Sequence, residues 1–138
     1  MNDVVINAIQ QKIMTPESLT FSSLRKLAGQ DMNAQSSLNR GRAIIDCPTL
    51  LNQYLYSYGL MVQRQWNHVV PNIVEMLSDN NDQEIHLYDY GCGQGLATLL
   101  LIENTLGLQE EITQITLIEP SEIALTRAQG IFECKLPH

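Results

Sequence analysis

The sequence predicts an α/β protein in which a helical N-terminal region is followed by a partial βαβα unit with a short parallel sheet. The first 78 residues read as helices, and apolar and aromatic residues between 50 and 58 recur at three- and four-residue spacing, the pattern of a helix with one buried face. Residues 85–90 and 115–118 are short apolar runs typical of strands, and an acidic residue closes each run, Asp89 and Glu119. A glycine-rich turn and a helical stretch lie between them, so we expect two parallel strands joined by a crossover helix.

The N-terminal region, residues 1–78, is predicted to consist of helices. Asp3 precedes an apolar cluster and is a candidate N-cap, because its side chain can accept hydrogen bonds from the first free N–H groups. The Thr-Pro-Glu sequence at residues 15–17 predicts a second helix start, since proline is favoured at the first helical position. Gly29 would end that helix. Residues 30–39 are polar and aperiodic, so they predict a linker.

A longer helical stretch begins at Pro48 and carries apolar and aromatic residues on one face. It is predicted to break at Gly59, because glycine is unfavourable inside a helix. Pro71 is predicted to kink the stretch or to start a new helix, because proline removes a backbone donor. In the second half, the helix after the glycine-rich turn is predicted to run from near Gly93 to Gly107. The last helix should be capped by Ser121 and stop near Gly130.

The glycine-rich turn has the pattern Asp-x-Gly-x-Gly-x-Gly, formed by Asp89, Gly91, Gly93 and Gly95. Glycine permits unusual dihedral angles and lets the backbone approach a ligand closely. A helix that starts at such a turn directs its free N–H groups toward that ligand. Glu119, at the end of the next strand, is placed to accept both hydroxyl groups of a ribose. Together these features predict a site for an adenosine-containing cofactor.

The glycine spacing and the acid discriminate between cofactors. The dinucleotide fingerprint Gly-x-Gly-x-x-Gly requires a third glycine where Leu96 or Thr98 stands. Asp89 would repel a pyrophosphate, because like charges at short range are unfavourable. The same carboxylate suits a cofactor with positive groups, such as an ammonium or a sulfonium. A P-loop is also excluded, because no Gly-Lys-Ser/Thr sequence follows the turn.

Residues 85–128 resemble the opening βαβα of the class I S-adenosylmethionine-dependent methyltransferases, which have a Rossmann-like fold. The resemblance implies a set of residues that bind S-adenosylmethionine: Asp89, Gly91, Gly93, Gly95, Glu119 and Pro120. The loop would lie under the methionine part, Glu119 would bind the ribose hydroxyls, and Pro120 would lie near the adenine. Methyltransferases with helical extensions often fold part of them over the cofactor, which makes Tyr58 or Arg64 a candidate lid residue.

The resemblance covers less than a third of the chain and ends before the strands that would handle the substrate. We therefore expect a helical extension, residues 1–78, followed by a partial cofactor-binding unit, residues 84–138. Such a chain would be the N-terminal part of a methyltransferase, either an excised piece or a truncated gene product, and inactive alone. The catalytic residues and the methyl acceptor (a small molecule, RNA or a protein) stay open.

Two alternatives remain. The chain could be a non-catalytic cofactor-binding or partner subunit, because the edges of a short sheet pair with other strands. Self-association, or a partner chain at a sheet edge, is therefore expected. The other alternative is a fragment of a nicotinamide-dependent oxidoreductase, which would need glycine at Leu96 or Thr98.

Composition narrows the class of protein. A net charge of −7 argues against broad nucleic-acid binding, which depends on clustered Lys and Arg. The three cysteines, Cys47, Cys92 and Cys134, lack the spacing and companion histidines of a zinc site, so no metal is predicted. Their odd number, without a signal peptide, favours reduced thiols in the cytoplasm. Cys92, between two glycines, is interpreted as a spacer. The sequence predicts no membrane span.

Overall fold

The computed structural model describes residues 3–29, 45–78 and 84–136. Over these residues the chain has a mixed α/β fold with a two-stranded parallel sheet, as the coarse prediction expected. The elements in chain order are α1 (Val4–Gln10), α2 (Phe21–Ala28), α3 (Pro48–Ser78), β1 (Ile85–Tyr90), α4 (Leu96–Glu103), α5 (Leu108–Glu111), β2 (Ile112–Ile118) and α6 (Glu122–Lys135). The predicted linker at residues 30–39 lies outside the described residues. Within the described part, no helix has both the length and the apolar character to cross a membrane.

The sheet consists of β1 and β2, which run parallel and are connected through α4 and α5. Leu87 pairs with Ile115, and the last residues of the strands, Tyr90 and Ile118, also pair. The strands therefore end side by side, which brings the segments that follow them to the same edge of the sheet. β2 begins earlier than the predicted residue 115, at a register irregularity near the start of β1.

The two faces of the sheet differ in burial. Leu87 on β1 and Leu117 on β2 pack against the apolar core. On the opposite face of β1, Tyr88 and Tyr90 are 56% and 76% exposed. Among the described residues, the apolar core of the helices therefore lies against the face of Leu87 and Leu117 and leaves the tyrosine face of β1 open.

The start of α2 corrects a second prediction. The Thr-Pro-Glu sequence at residues 15–17 begins a single turn, closed by a hydrogen bond from the Leu19 N–H to the Thr15 carbonyl. The helix itself starts at Phe21, because Thr20 and Ser23 form a capping box. Gly29 ends α2, as predicted.

The long helix α3 passes through Gly59 and Pro71 without ending, so the predicted break at Gly59 is wrong. A Cβ atom at Gly59 would lie 3.3 Å from Cζ of Phe21. Glycine at this position therefore allows α2 to pack closely on α3, and the packing offsets the low helix propensity. Pro71 lies on an exposed part of the helix, where a lost backbone hydrogen bond costs less than it would in the core.

An apolar core spans the predicted N-terminal region and the strand region. It includes residues of α1, α2, α3, α4 and α6: Val5, Leu24, Leu55, Leu99 and Ile131.

The ends of the later helices differ from the predictions. α4 begins at Leu96 and ends at Glu103, so it lies within the predicted range. α6 is capped by Ser121 as predicted but continues past Gly130 to Lys135, because Ile131 and Phe132 beyond the glycine are buried in the core.

Candidate functional site

A cleft of about 580 Å³ lies where β1 and β2 end. Its lining includes five of the six residues predicted to bind a cofactor: Asp89, Gly91, Gly93, Glu119 and Pro120. Its opposite wall comes from α3, with Tyr54, Val62, Gln65 and Trp66. Ligands of open α/β sheets bind outside the carboxyl ends of the strands, which is where this cleft lies.

The first part of the glycine loop is open toward this cleft. Gly91 and Gly93 have φ angles of +66° and +55°, which residues with a side chain rarely adopt. A Cβ atom added to either residue would meet no atom within 4 Å. The loop is nevertheless held in place, because the N–H groups of Gly91 and Cys92 donate to the Ile118 carbonyl at 2.7 and 3.1 Å. Bare backbone is thus presented to the cleft in a fixed position.

Gly95, the sixth predicted residue, lies behind the loop and does not line the cleft. It is buried, has a φ angle of +87° and is the N-cap of α4. A Cβ atom here would lie 2.7 Å from Cε2 of Phe132. Gly95 is therefore required by packing between the loop and α6.

Glu119 joins the end of β2 to the glycine loop. Its Oε1 accepts a hydrogen bond from the Gly93 N–H at 3.0 Å, and its Oε2 accepts one from the Ser121 N–H at 2.8 Å. Each carboxylate oxygen has two lone pairs, so both oxygens retain capacity for a ligand hydroxyl. The residue predicted to bind ribose thus also fixes the loop.

Asp89 is oriented by a residue that the sequence pattern did not identify as part of the site. The Thr98 hydroxyl in α4 donates to Asp89 Oδ2 at 2.6 Å, and Thr98 is buried. In the sequence, Thr98 appears only as the position where a dinucleotide fingerprint would have glycine. Thr98 lies in the first turn of α4, close to the end of β1 where Asp89 stands. This position is the signal in the sequence that could have identified the contact.

The cleft is acidic. Its charged lining residues are Asp89 and Glu119, and no Lys, Arg or His lines it among the described residues. Burial, followed by the charges of these two carboxylates, raises the pKa of the Cys92 thiol to about 11. Cys92 is therefore protonated at neutral pH and lacks the thiolate that a nucleophile requires, in keeping with its interpretation as a spacer.

The candidate lid residues do not line the cleft. The ring of Tyr58 contacts that of Tyr54, with centroids 5.2 Å apart, while Arg64 is exposed. Burial, with a smaller contribution from Tyr58, raises the pKa of the Tyr54 hydroxyl. The wall of the cleft is formed by Tyr54 and by Trp66, two turns beyond Tyr58 in α3.

A buried polar network behind the loop was also missed by the sequence interpretation. The guanidinium of Arg127 in α6 contacts Asp3, Asn52 and Gln94. Burial lowers the pKa of Arg127, and the hydrogen bond and charge of Asp3 oppose that shift. Sequence separation hides these contacts, since Asp3 and Arg127 lie at opposite ends of the chain.

Among the residues with described positions, no group of three His, Cys, Asp or Glu side chains is arranged to hold a metal ion.

Comparison with known proteins gives no match: no protein-family model, curated protein or solved structure is similar to this chain.

Proposed function

We propose that this chain binds S-adenosylmethionine in the acidic cleft and is the cofactor-binding part of a Rossmann-like class I methyltransferase. The observation that carries the proposal is the open backbone of Gly91 and Gly93 between two carboxylates, Asp89 and Glu119, at neighbouring strand ends. This combination offers space and negative charge to a cationic ligand, and hydrogen-bond acceptors to its hydroxyl groups.

Each part of the cleft has a role in this proposal. Asp89, held by Thr98, attracts the positive charge of the methionine part, and Glu119 accepts the ribose hydroxyls. Tyr54 and Trp66 provide an apolar wall that excludes water. When bound, S-adenosylmethionine supplies an electrophilic methyl group. The contribution of the protein is to align and desolvate the reacting groups, and a side-chain nucleophile is not required.

The acidity of the cleft favours this cofactor over a nicotinamide dinucleotide. A pyrophosphate would be placed beside Asp89 and Glu119 with no basic residue among the described lining residues. Thr98, at the third position of one possible dinucleotide fingerprint, is engaged by Asp89 instead.

A second candidate, a partner subunit completed by another chain, is supported by the exposed face of the sheet. Tyr88 and Tyr90 are open to solvent there. Within the described residues the sheet has two strands, so the outer edge of each strand has no neighbouring strand. Sedimentation velocity is expected to detect a dimer or a larger assembly. A monodisperse monomer at high protein concentration would remove this candidate.

The main proposal is tested by titration calorimetry with S-adenosylmethionine and, separately, with a nicotinamide dinucleotide. We expect weak binding of the first ligand, no binding of the second and no methyl transfer by this chain alone. Glu119→Ala should abolish binding, because hydrogen bonds to a charged group are worth about 1.5–3 kcal/mol each. Glu133→Ala, at an exposed carboxylate of α6 outside the cleft, is the matched control and should bind normally. Absence of binding by the unmodified chain, or equal binding of the dinucleotide, would refute the proposal.

A further inference from the structure

The guanidinium of Arg127 lies in the interior, directly behind the glycine loop, and is 0% exposed. Its Nε donates to both carboxylate oxygens of Asp3, at 3.2 and 2.9 Å. Its Nη1 donates to Gln94 Oε1 at 3.1 Å, and its Nη2 donates to Asn52 Oδ1 at 2.6 Å. One side chain thus connects α6 with the start of α1, with α3 and with the loop.

Gln94 is the point at which this network reaches the cleft. It lies between Gly93 and Gly95. Both polar atoms of its side-chain amide are hydrogen-bonded. Oε1 accepts from Arg127, while Nε2 donates to the Leu51 carbonyl of α3 at 3.2 Å. Glycines on both sides give the backbone little conformational preference of its own. The tether at Gln94 therefore holds this part of the loop, in addition to the backbone hydrogen bonds of Gly91, Cys92 and Gly93.

Asp3 is also the N-cap of α1. Its Oδ1 accepts hydrogen bonds from the N–H groups of Val5 and Ile6, at 2.9 and 3.2 Å. The same carboxylate thus caps α1 and neutralises Arg127. A buried ion pair becomes strongly unfavourable when one partner is removed. Undocking of α1 would therefore remove the counter-charge of Arg127 beside Gln94.

We propose that Asp3 and Arg127 are positioning residues for the cleft, and that they couple the docking of α1 to the binding of S-adenosylmethionine through Gln94. The ligand identity rests on the proposed function, whereas the coupling of α1 to the loop does not. Coupling between two sites is reciprocal. The docked helix holds the loop in its binding form, and a ligand on the loop in turn stabilises the docked helix.

Three variants separate positioning from general stability. Asp3→Asn retains the helix cap, because Asn caps as well as Asp, but removes the charge that pairs with Arg127. Gln94→Met removes the tether without removing a charge. Lys135→Met is the matched control: Lys135 is also a buried cation of α6, it donates to the carbonyls of Pro16 and Leu19, and it does not line the cleft.

The first measurement is the affinity for S-adenosylmethionine, at a temperature at which every variant is folded by circular dichroism. We expect Asp3→Asn and Gln94→Met to raise Kd about tenfold, the effect of one lost hydrogen bond to a charged group. Lys135→Met should lower the melting temperature and leave Kd unchanged. Saturating ligand should slow amide hydrogen exchange of Val5–Ile9 in the unmodified chain and in Lys135→Met, but not in Gln94→Met.

The second measurement needs no ligand. Amide exchange at Gly93 and Gly95 should be faster in Asp3→Asn and Gln94→Met than in Lys135→Met. If the unmodified chain binds no S-adenosylmethionine, the proposed function fails and this exchange measurement alone decides the coupling. Equal exchange at the loop in Gln94→Met and Lys135→Met would overturn the coupling, as would an equal loss of affinity in these two variants. Should Asp3→Asn fail to fold, Gln94→Met provides the decisive comparison.

Discussion

The two halves of the glycine loop differ in their surroundings, although Gly91, Gly93 and Gly95 all have positive φ angles. The space above Gly91 and Gly93 is open, and both residues line the cleft. Gly95 is enclosed by Phe132 and Ala128 of α6. The first half of the loop thus presents backbone to a ligand, while the second half attaches the loop to the core. A substitution should therefore change affinity in the first half and stability in the second.

The largest effect is expected for Gly95→Ala. The new methyl group would lie 2.7 Å from the Phe132 ring, at a φ angle of +87°. Overpacking and left-handed strain together should lower the free energy of unfolding by about 2–5 kcal/mol. Urea denaturation measures this loss. In a Phe132→Leu background the loss should be smaller, since the clashing ring atoms are absent. Equal losses in both backgrounds would show that strain alone is responsible.

Thr98→Val should have the next largest effect, because the hydroxyl of Thr98 in α4 donates a hydrogen bond to Asp89. Valine has the same shape and lacks the donor, so the loss of unfolding free energy is expected to be about 1.5–3 kcal/mol. Affinity for S-adenosylmethionine should fall as well, because Asp89 loses its orientation. Thr126→Val is the control, since the exposed Thr126 hydroxyl donates to the Glu122 carbonyl of its own helix. A comparable destabilisation by Thr126→Val would argue against a special role for the Thr98 contact.

Gly91→Ala should have a smaller effect on stability and a clear effect on binding. Its φ angle of +66° strains an alanine by about 1–2 kcal/mol, and no atom clashes with the new methyl group. Gly107 offers a matched control, because it has a φ angle of +83°, equally open space and no place in the cleft lining. Denaturation should give similar losses for Gly91→Ala and Gly107→Ala. Calorimetry should show weaker S-adenosylmethionine binding for Gly91→Ala alone.

The smallest effect concerns the titration of Cys92. Burial and the neighbouring carboxylates raise its pKa from 9.0 to about 11 in the folded chain. Between these two values the unfolded chain loses the thiol proton first, so this group lowers stability as the pH rises from 9 to 11. Below pH 9 the neutral thiol makes its full contribution to the free energy of unfolding. Denaturation of Cys92→Ala at the same pH values should show a shallower decline, and the difference between the two curves isolates Cys92 from other groups. Parallel curves would contradict the raised pKa.

Features set by short stretches of chain were predictable from the sequence. The caps formed by Asp3 and Ser121 and the end of α2 at Gly29 depend on hydrogen bonds to residues a few positions away. The placement of Asp89 and Glu119 at one edge follows from two parallel strands, since such strands end on the same side. Neither their assignment to a cofactor nor the division of the chain at residues 79–83 has yet been tested, so both stay predictions.

The tertiary structure decided the features that depend on distant neighbours. Gly59 and Gly130 look like helix ends in the sequence, yet both lie inside helices. Phe21 packs closely on Gly59, and the residues after Gly130, Ile131 and Phe132, are buried in the core. Gly95 repeats the pattern of Gly91 but meets Phe132, which no local pattern reveals. Arg127 reads as an ordinary charged residue of a helix, and only the fold brings Asp3 to it. A residue's propensity is a local quantity of about 1 kcal/mol or less, whereas burial of a side chain or a charge is worth several times more and is set by the whole fold.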